Sequence, residues 1–205
     1  MMSAELTNQT ENRMGWMEPR KFAMILAMAS MTMFFAGLTS ALLVKKADLA
    51  SWEYYKLPGI FAISTVVILI SSATMQMMIS AYKKTEWFKY RLWMGVSLLL
   101  ALAFCGLQYA GWMQMTAEGM PLRGGNPSGG FIYVISGAHV AHVLGGVVAL
   151  LIMFFRAVRR RKDPSFALIH TENPRRLVNH QLLVMYWHFV DVLWLYLFIF
   201  FYVNY

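Results

Sequence analysis

Five long apolar stretches, separated by short polar or basic connections, order almost the whole chain. They run over about 22–44, 58–82, 92–115, 131–155 and 182–202. Each is at least as long as the roughly 20 residues that a helix needs to cross a hydrocarbon core of about 30 Å. A helix satisfies its own backbone polar groups in lipid, so it is the default spanning structure. The second stretch opens at Pro58, a residue suited to a helix first turn because its missing N–H costs nothing there. The pattern predicts an all-α fold, an integral membrane bundle of five transmembrane helices. A polar segment at 1–20 precedes one membrane domain at 21–205. That segment carries Glu5, Glu11, Arg13 and Glu18 and lacks a basic region followed by an apolar core, so no cleavable signal peptide is expected.

Composition sharpens this picture. With 59% apolar residues in 205, the chain is too apolar for one soluble domain. The net charge of +8 is no nucleic-acid signal, because the basic residues cluster between the apolar stretches. If all five segments span, Arg13, Arg20, Lys21, Lys83, Lys84, Lys89, Arg91, Arg156, Arg159, Arg160, Arg161, Lys162, Arg175 and Arg176 share one side. Only Lys45, Lys46, Lys56 and Arg123 fall on the other. The asymmetry predicts a cytoplasmic N-terminus and a periplasmic C-terminus. Arg159, Arg160 and Arg161 read either as a cytoplasmic stop signal or as an anchor for anionic lipid headgroups. Cys105 is the single cysteine, which excludes an intrachain disulfide or a CxxC clip. The methionines read as gap fillers, with Met75-Gln76-Met77-Met78 the one short cluster.

Ionisable groups at membrane depth are costly and mark places where they pair or act. The fourth stretch carries His139 and His142, spaced i, i+3 and so on one helix face, between Gly137 and Gly145-Gly146, which admit a close neighbour. The fifth carries His188 and Asp191 at the same spacing. Counting about 1.5 Å per residue from each entry point puts His142 roughly 16 Å and Asp191 roughly 13 Å into the core, both near the midplane. Asp191 and the fourth-helix histidines are therefore expected to share one buried network. Three uses remain open: haem or metal ligation, with His188 opposite His139 or His142 as an axial pair; proton or ion transport; or polar groups that fix helix packing inside a larger assembly. A small proton-coupled transporter is weakened by the lack of a duplicated half. His170 and His180 fall in or beside the basic fourth-to-fifth connection, where solvated histidines are expected. The Gly-rich loop at 123–130 has no following Lys-Ser/Thr, so phosphate binding is not expected. No Ser-His-Asp grouping or HExxH occurs, and no catalytic or metal residue is assigned.

The block Tyr186-Trp187-His188-Phe189-Val190-Asp191-Val192-Leu193-Trp194-Leu195 resembles the terminal YWHFVDVVWL block of subunit III of the haem–copper (cytochrome c or quinol) oxidases. Gly137 to Gly146 resembles that family's GxHxxHVxxG block. Weaker similarity covers Ser30 to Gly37, Leu57-Pro58 with Ser71-Ser72, and Phe104 to Tyr109. The resemblance implies a short bacterial form with five helices in the cytoplasmic (inner) membrane. It implies a subunit holding no haem or copper itself, with both in partner subunits. Subunit I would be the main contact, phospholipid would lie between helix groups, and the subunit would sustain proton or oxygen supply and stability of the catalytic subunit. Where many relatives carry a membrane glutamate, this chain has Met31, Gly111 and Gln181. What remains, His139, His142, His188 and Asp191, then reads as a structural polar network more than as a relay.

Overall fold

The computed structural model describes residues 19–48, 56–120, 127–159 and 174–205. Its five helices are α1 (Pro19–Asp48), α2 (Gly59–Lys83), α3 (Trp87–Ala117), α4 (Pro127–Arg159) and α5 (Pro174–Asn204), with no strand among the described residues. All five are long and apolar enough to cross a membrane. α1, α4 and α5 each begin on a proline, whose fixed φ suits the first helical position. Pro58 sits just before α2, where its carbonyl accepts the Phe61 N–H at 3.1 Å.

The helices overrun the apolar stretches at most of their ends. α3 starts at Trp87 rather than near 92, and α5 at Pro174 rather than near 182. Hydropathy marks only the part of a helix that lies in hydrocarbon, whereas backbone hydrogen bonding continues into the polar interface.

Contacts between helices fix their directions. Arg20 donates to Asn179 Oδ1 at 3.1 Å, and Lys46 donates to the Asn204 carbonyl at 2.8 Å, so α1 and α5 run parallel. The Tyr90 hydroxyl bonds His180 at 2.7 Å, and Phe104 meets Trp194 edge-on at 5.2 Å, so α3 is parallel to α5 as well. α2 runs the other way, with Thr65 beside Trp194 and Ser71 beside Trp187. α4 also opposes α5: the Tyr205 hydroxyl reaches the Ser128 carbonyl, and Tyr186 reaches the His142 carbonyl. This alternation gathers the N-terminus of α1, the α2–α3 turn, the C-terminus of α4 and the N-terminus of α5 at one end.

α2 packs on α3 and α5, α4 packs on α3 and α5, and α1 leans on α4 and α5 alone among the substantial contacts. The sealed interior consists of large flexible or aromatic side chains, among them Phe35, Phe104, Met75, Met94, Met115, Trp187 and Trp194. Leu99, Val66, Val148 and Val192 point outward. Apolar residues thus cover both faces of each helix, as expected where the outer solvent is lipid. α1 buries the smallest share of its span.

Candidate functional site

The middle of the bundle is crossed by hydrogen bonds that start from small hydroxyls on α2. Trp194 donates its indole N–H to Thr65 Oγ1 at 3.0 Å, and Trp187 donates to Ser71 Oγ at 3.2 Å. From α3, Gln108 donates to Ser64 Oγ at 2.8 Å, while Ser97 and Thr74 pair at 2.7 Å. Serines and threonines in helices can also bond back to their own turn, and Ser64, Thr65 and Thr74 do so. The same oxygens therefore serve two purposes. In lipid such cross-helix bonds are worth about 0.6–2 kcal/mol each, and they fix register as well as affinity.

His188 belongs to this α2 seam. Its Nδ1 lies 2.6 Å from Ser72 Oγ, and its Nε2 lies a long 3.4 Å from Gln76 Oε1. With Gln76 Oε1 accepting, Nε2 carries the proton and Nδ1 accepts from the Ser72 hydroxyl. Gln76 is exposed and His188 half-buried, so this pair is polar and outward at mid-helix depth. Asp191 lies one turn on, 2% exposed and beside Ser72, yet neither carboxyl oxygen has a hydrogen-bond partner.

The α4 histidines lie elsewhere. His139 is fully buried among Trp194, Phe104 and Phe35, with ring centroids 5.1, 6.0 and 6.3 Å away, and neither of its nitrogens is hydrogen-bonded. His142 donates from Nδ1 to its own helix, at Ala138 O, 2.7 Å away. Its ring rests on Phe35 and Phe34 of α1, at 5.6 and 6.3 Å. The expected network joining Asp191 to His139 and His142 is therefore not formed by hydrogen bonds. Matching depth along two helices does not fix rotation about their axes. His188 is turned to α2, His139 to an aromatic cage, and His142 to α1. His188 bonds to Ser72 and Gln76 of α2, while His139 packs on Trp194, Phe104 and Phe35. Among the described residues no group of three or more His, Cys, Asp or Glu converges as a metal site would require.

His180 also departs from expectation. It is 7% exposed, bonded to Tyr90 and stacked on Tyr82 at 4.3 Å, because α5 starts two turns before its apolar stretch. His170, Arg160 and Arg161 lie outside the described residues, while Arg159 is exposed at the end of α4.

The glycine expectation is met at Gly146, where a Cβ would stand 3.1 Å from both Trp187 and Tyr186 of α5. Gly145 has open space around it. At Gly111 a Cβ would stand 3.0 Å from the Phe61 ring, so a larger side chain there requires that ring to shift. Met31 packs against the core and Gln181 is half-buried.

The family model described as cytochrome c oxidase subunit III matches residues 2–204. The chain belongs to that family. Its relatives include the cytochrome c oxidase subunit 3 of Corynebacterium diphtheriae, 28% identical over 182 residues, covering 85% of this chain and 83% of the relative. The probable cytochrome c oxidase subunit 3 of Nocardia farcinica is 30% identical over 178 residues, covering 85% and 82%. A probable quinol oxidase subunit 3 from Staphylococcus saprophyticus is 28% identical over 146 residues, covering 71% and 67%. Within this subunit III fold, the α2 hydroxyl seam is what the sequence reading missed. Ser71, Ser72 and Gln108 fall in blocks that resemble the family, but their bonding across helices is visible only in the fold.

Proposed function

We propose that this chain is an accessory subunit of a bacterial respiratory haem–copper oxidase, in the cytoplasmic membrane with its N-terminus inside. It would support the stability and the proton or oxygen supply of a catalytic subunit that reduces oxygen to water. Haem and copper belong to the partner subunits, subunit I is the main contact, and this chain holds no redox centre. The family match over nearly the whole chain carries the reading. The site geometry supports it: the described polar groups at membrane depth either join helices or sit without a hydrogen bond. His188 with Ser72 ties α5 to α2, and His142 seats α1, so both act through packing. The positive charge at one end, set by helix alternation, supports the orientation.

The test is the catalytic lifetime of the oxidase with and without this subunit. Loss of the chain is expected to leave the initial oxygen-consumption rate within about twofold while cutting the number of turnovers before inactivation several-fold. An unchanged lifetime with this subunit fully removed would contradict the role.

A further inference from the structure

One face of α2 is open along most of the helix: Val66, Leu69, Ala73, Gln76, Ser80 and Lys83 are all exposed. Their spacing alternates between three and four residues, the register in which a second helix packs along the first. The face is aliphatic from Val66 to Ala73 and polar from Gln76 onward. Lys83 marks the basic end of the bundle. Gln76 lies about 10 Å further in, within the roughly 15 Å of hydrocarbon in one leaflet.

The amide at that depth is only half used. Its Oε1 stands a long 3.4 Å from His188 Nε2, and its NH2 group meets no acceptor among the described residues. Exposed hydroxyls on α1 solve the same problem within their own helix, where Ser30 donates to Leu26 O and Thr32 to Met28 O. Gln76 has no such bond. Behind it the polar set continues inward: Ser72 Oγ lies 2.6 Å from His188 Nδ1, and Asp191, 2% exposed, stands beside Ser72 without a full hydrogen bond. An unsatisfied polar group in hydrocarbon is costly. Lipid is therefore the wrong neighbour for this part of α2, and a hydrogen-bonding surface is the right one.

We propose that the open face of α2, centred on Gln76, receives a transmembrane helix of another subunit that presents a hydrogen-bond acceptor at the depth of Gln76. The unused capacity of the amide is its pair of N–H donors, so the acceptor is a Ser or Thr hydroxyl, an Asn or Gln carbonyl, or a carboxylate. Ala73 and Ser80, about one turn to either side, leave the incoming backbone room to approach. Leu69 and Val66 carry the packing toward the opposite membrane surface. The inference rests on the reading of this chain as an accessory subunit of a larger complex, and adds the face and the chemistry of the contact.

The test uses membranes of cells producing the full-length chain with its natural partners, with a photoreactive phenylalanine analogue placed in turn at positions 73, 80 and 99. Positions 73 and 80 are expected to cross-link to one transmembrane peptide of another subunit that carries such an acceptor, and position 99 on α3 is not. Gln76→Leu is expected to reduce both that cross-link and the recovery of the partner with the tagged chain about threefold or more, as loss of one hydrogen bond in lipid implies. Leucine is the more apolar residue, so the variant chain should insert at the wild-type level. Gln76→His keeps a donor and should retain most of the partner, while Ala73→Trp should displace it by filling the space its backbone needs. Cross-links from 73 and 80 only to lipid, to a second copy of this chain or to a peptide without an acceptor would overturn the proposal, as would undiminished recovery with Gln76→Leu. A partner helix on this face that belongs to no haem-containing complex would uphold the contact and contradict the oxidase reading. A shortened catalytic lifetime on loss of the subunit, with no cross-link at this face, would do the reverse.

Discussion

At the scale of single residues, polar groups in this bundle divide into those with partners and those without. Trp187, Trp194, Gln108 and His188 each meet a hydroxyl on α2. His139 is just as deep and meets none, while Asp191 lies beside the Ser72 hydroxyl without a full hydrogen bond. A buried polar group left unbonded costs about 1–3 kcal/mol. His139 sits where an aromatic ring is packed on three sides by other rings, so shape is satisfied and hydrogen bonding is not. His139→Phe is therefore expected to raise the thermal unfolding temperature of the purified chain in detergent by a few degrees. A drop would show that the imidazole nitrogens contribute through a partner. The sequence reading singled out these histidines for the cost of burial, and that reasoning stands. No hydrogen bond joins them to Asp191: His139 and His142 share the face that meets Phe35 of α1, with His139 reaching on to Trp194 and Phe104.

At the scale of helices, α1 differs from the rest. It touches α4 and α5 through Phe35 and Leu42, both sealed, and through Thr39, whose hydroxyl pairs with Tyr196 at 3.1 Å. Arg20 and Lys46 clamp its two ends to α5. Most of its remaining surface is exposed and apolar. Helix association in lipid rests on such packing rather than on water expulsion, so Phe35 is its principal anchor. Phe35→Ala is expected to free α1 while α2–α5 stay assembled. Spin labels near the α1 and α5 N-termini should then show a broadened distance distribution, with little change for a pair across α2 and α3. Equal broadening in both pairs would mean that the bundle unfolds as one unit. Helix number and order were legible because hydrocarbon thickness sets an unambiguous length. Helix ends were less so, as His180 shows: the helix continues past the apolar segment and buries a residue expected in water. The α2 seam was hidden because serine and threonine are common, tolerated residues in any membrane helix, and only the neighbour's position shows which ones bond across.

At the scale of the molecule, five helices alternate in direction around a core of aromatic and methionine side chains, with all described carboxylates but Asp191 toward the helix ends. Its family, cytochrome c oxidase subunit III, implies an oxidase complex with other subunits. Redox chemistry is therefore expected in the neighbouring subunits, travelling with this chain only through assembly. The most direct measurement is a reduced-minus-oxidised optical spectrum of material purified through a tag on this chain, taken before and after the subunits are separated. Haem bands are expected in the intact preparation and should leave with the partner subunits, so that the separated chain shows none. A haem band that stays with the separated chain, or an intact preparation with no haem at all, would contradict it.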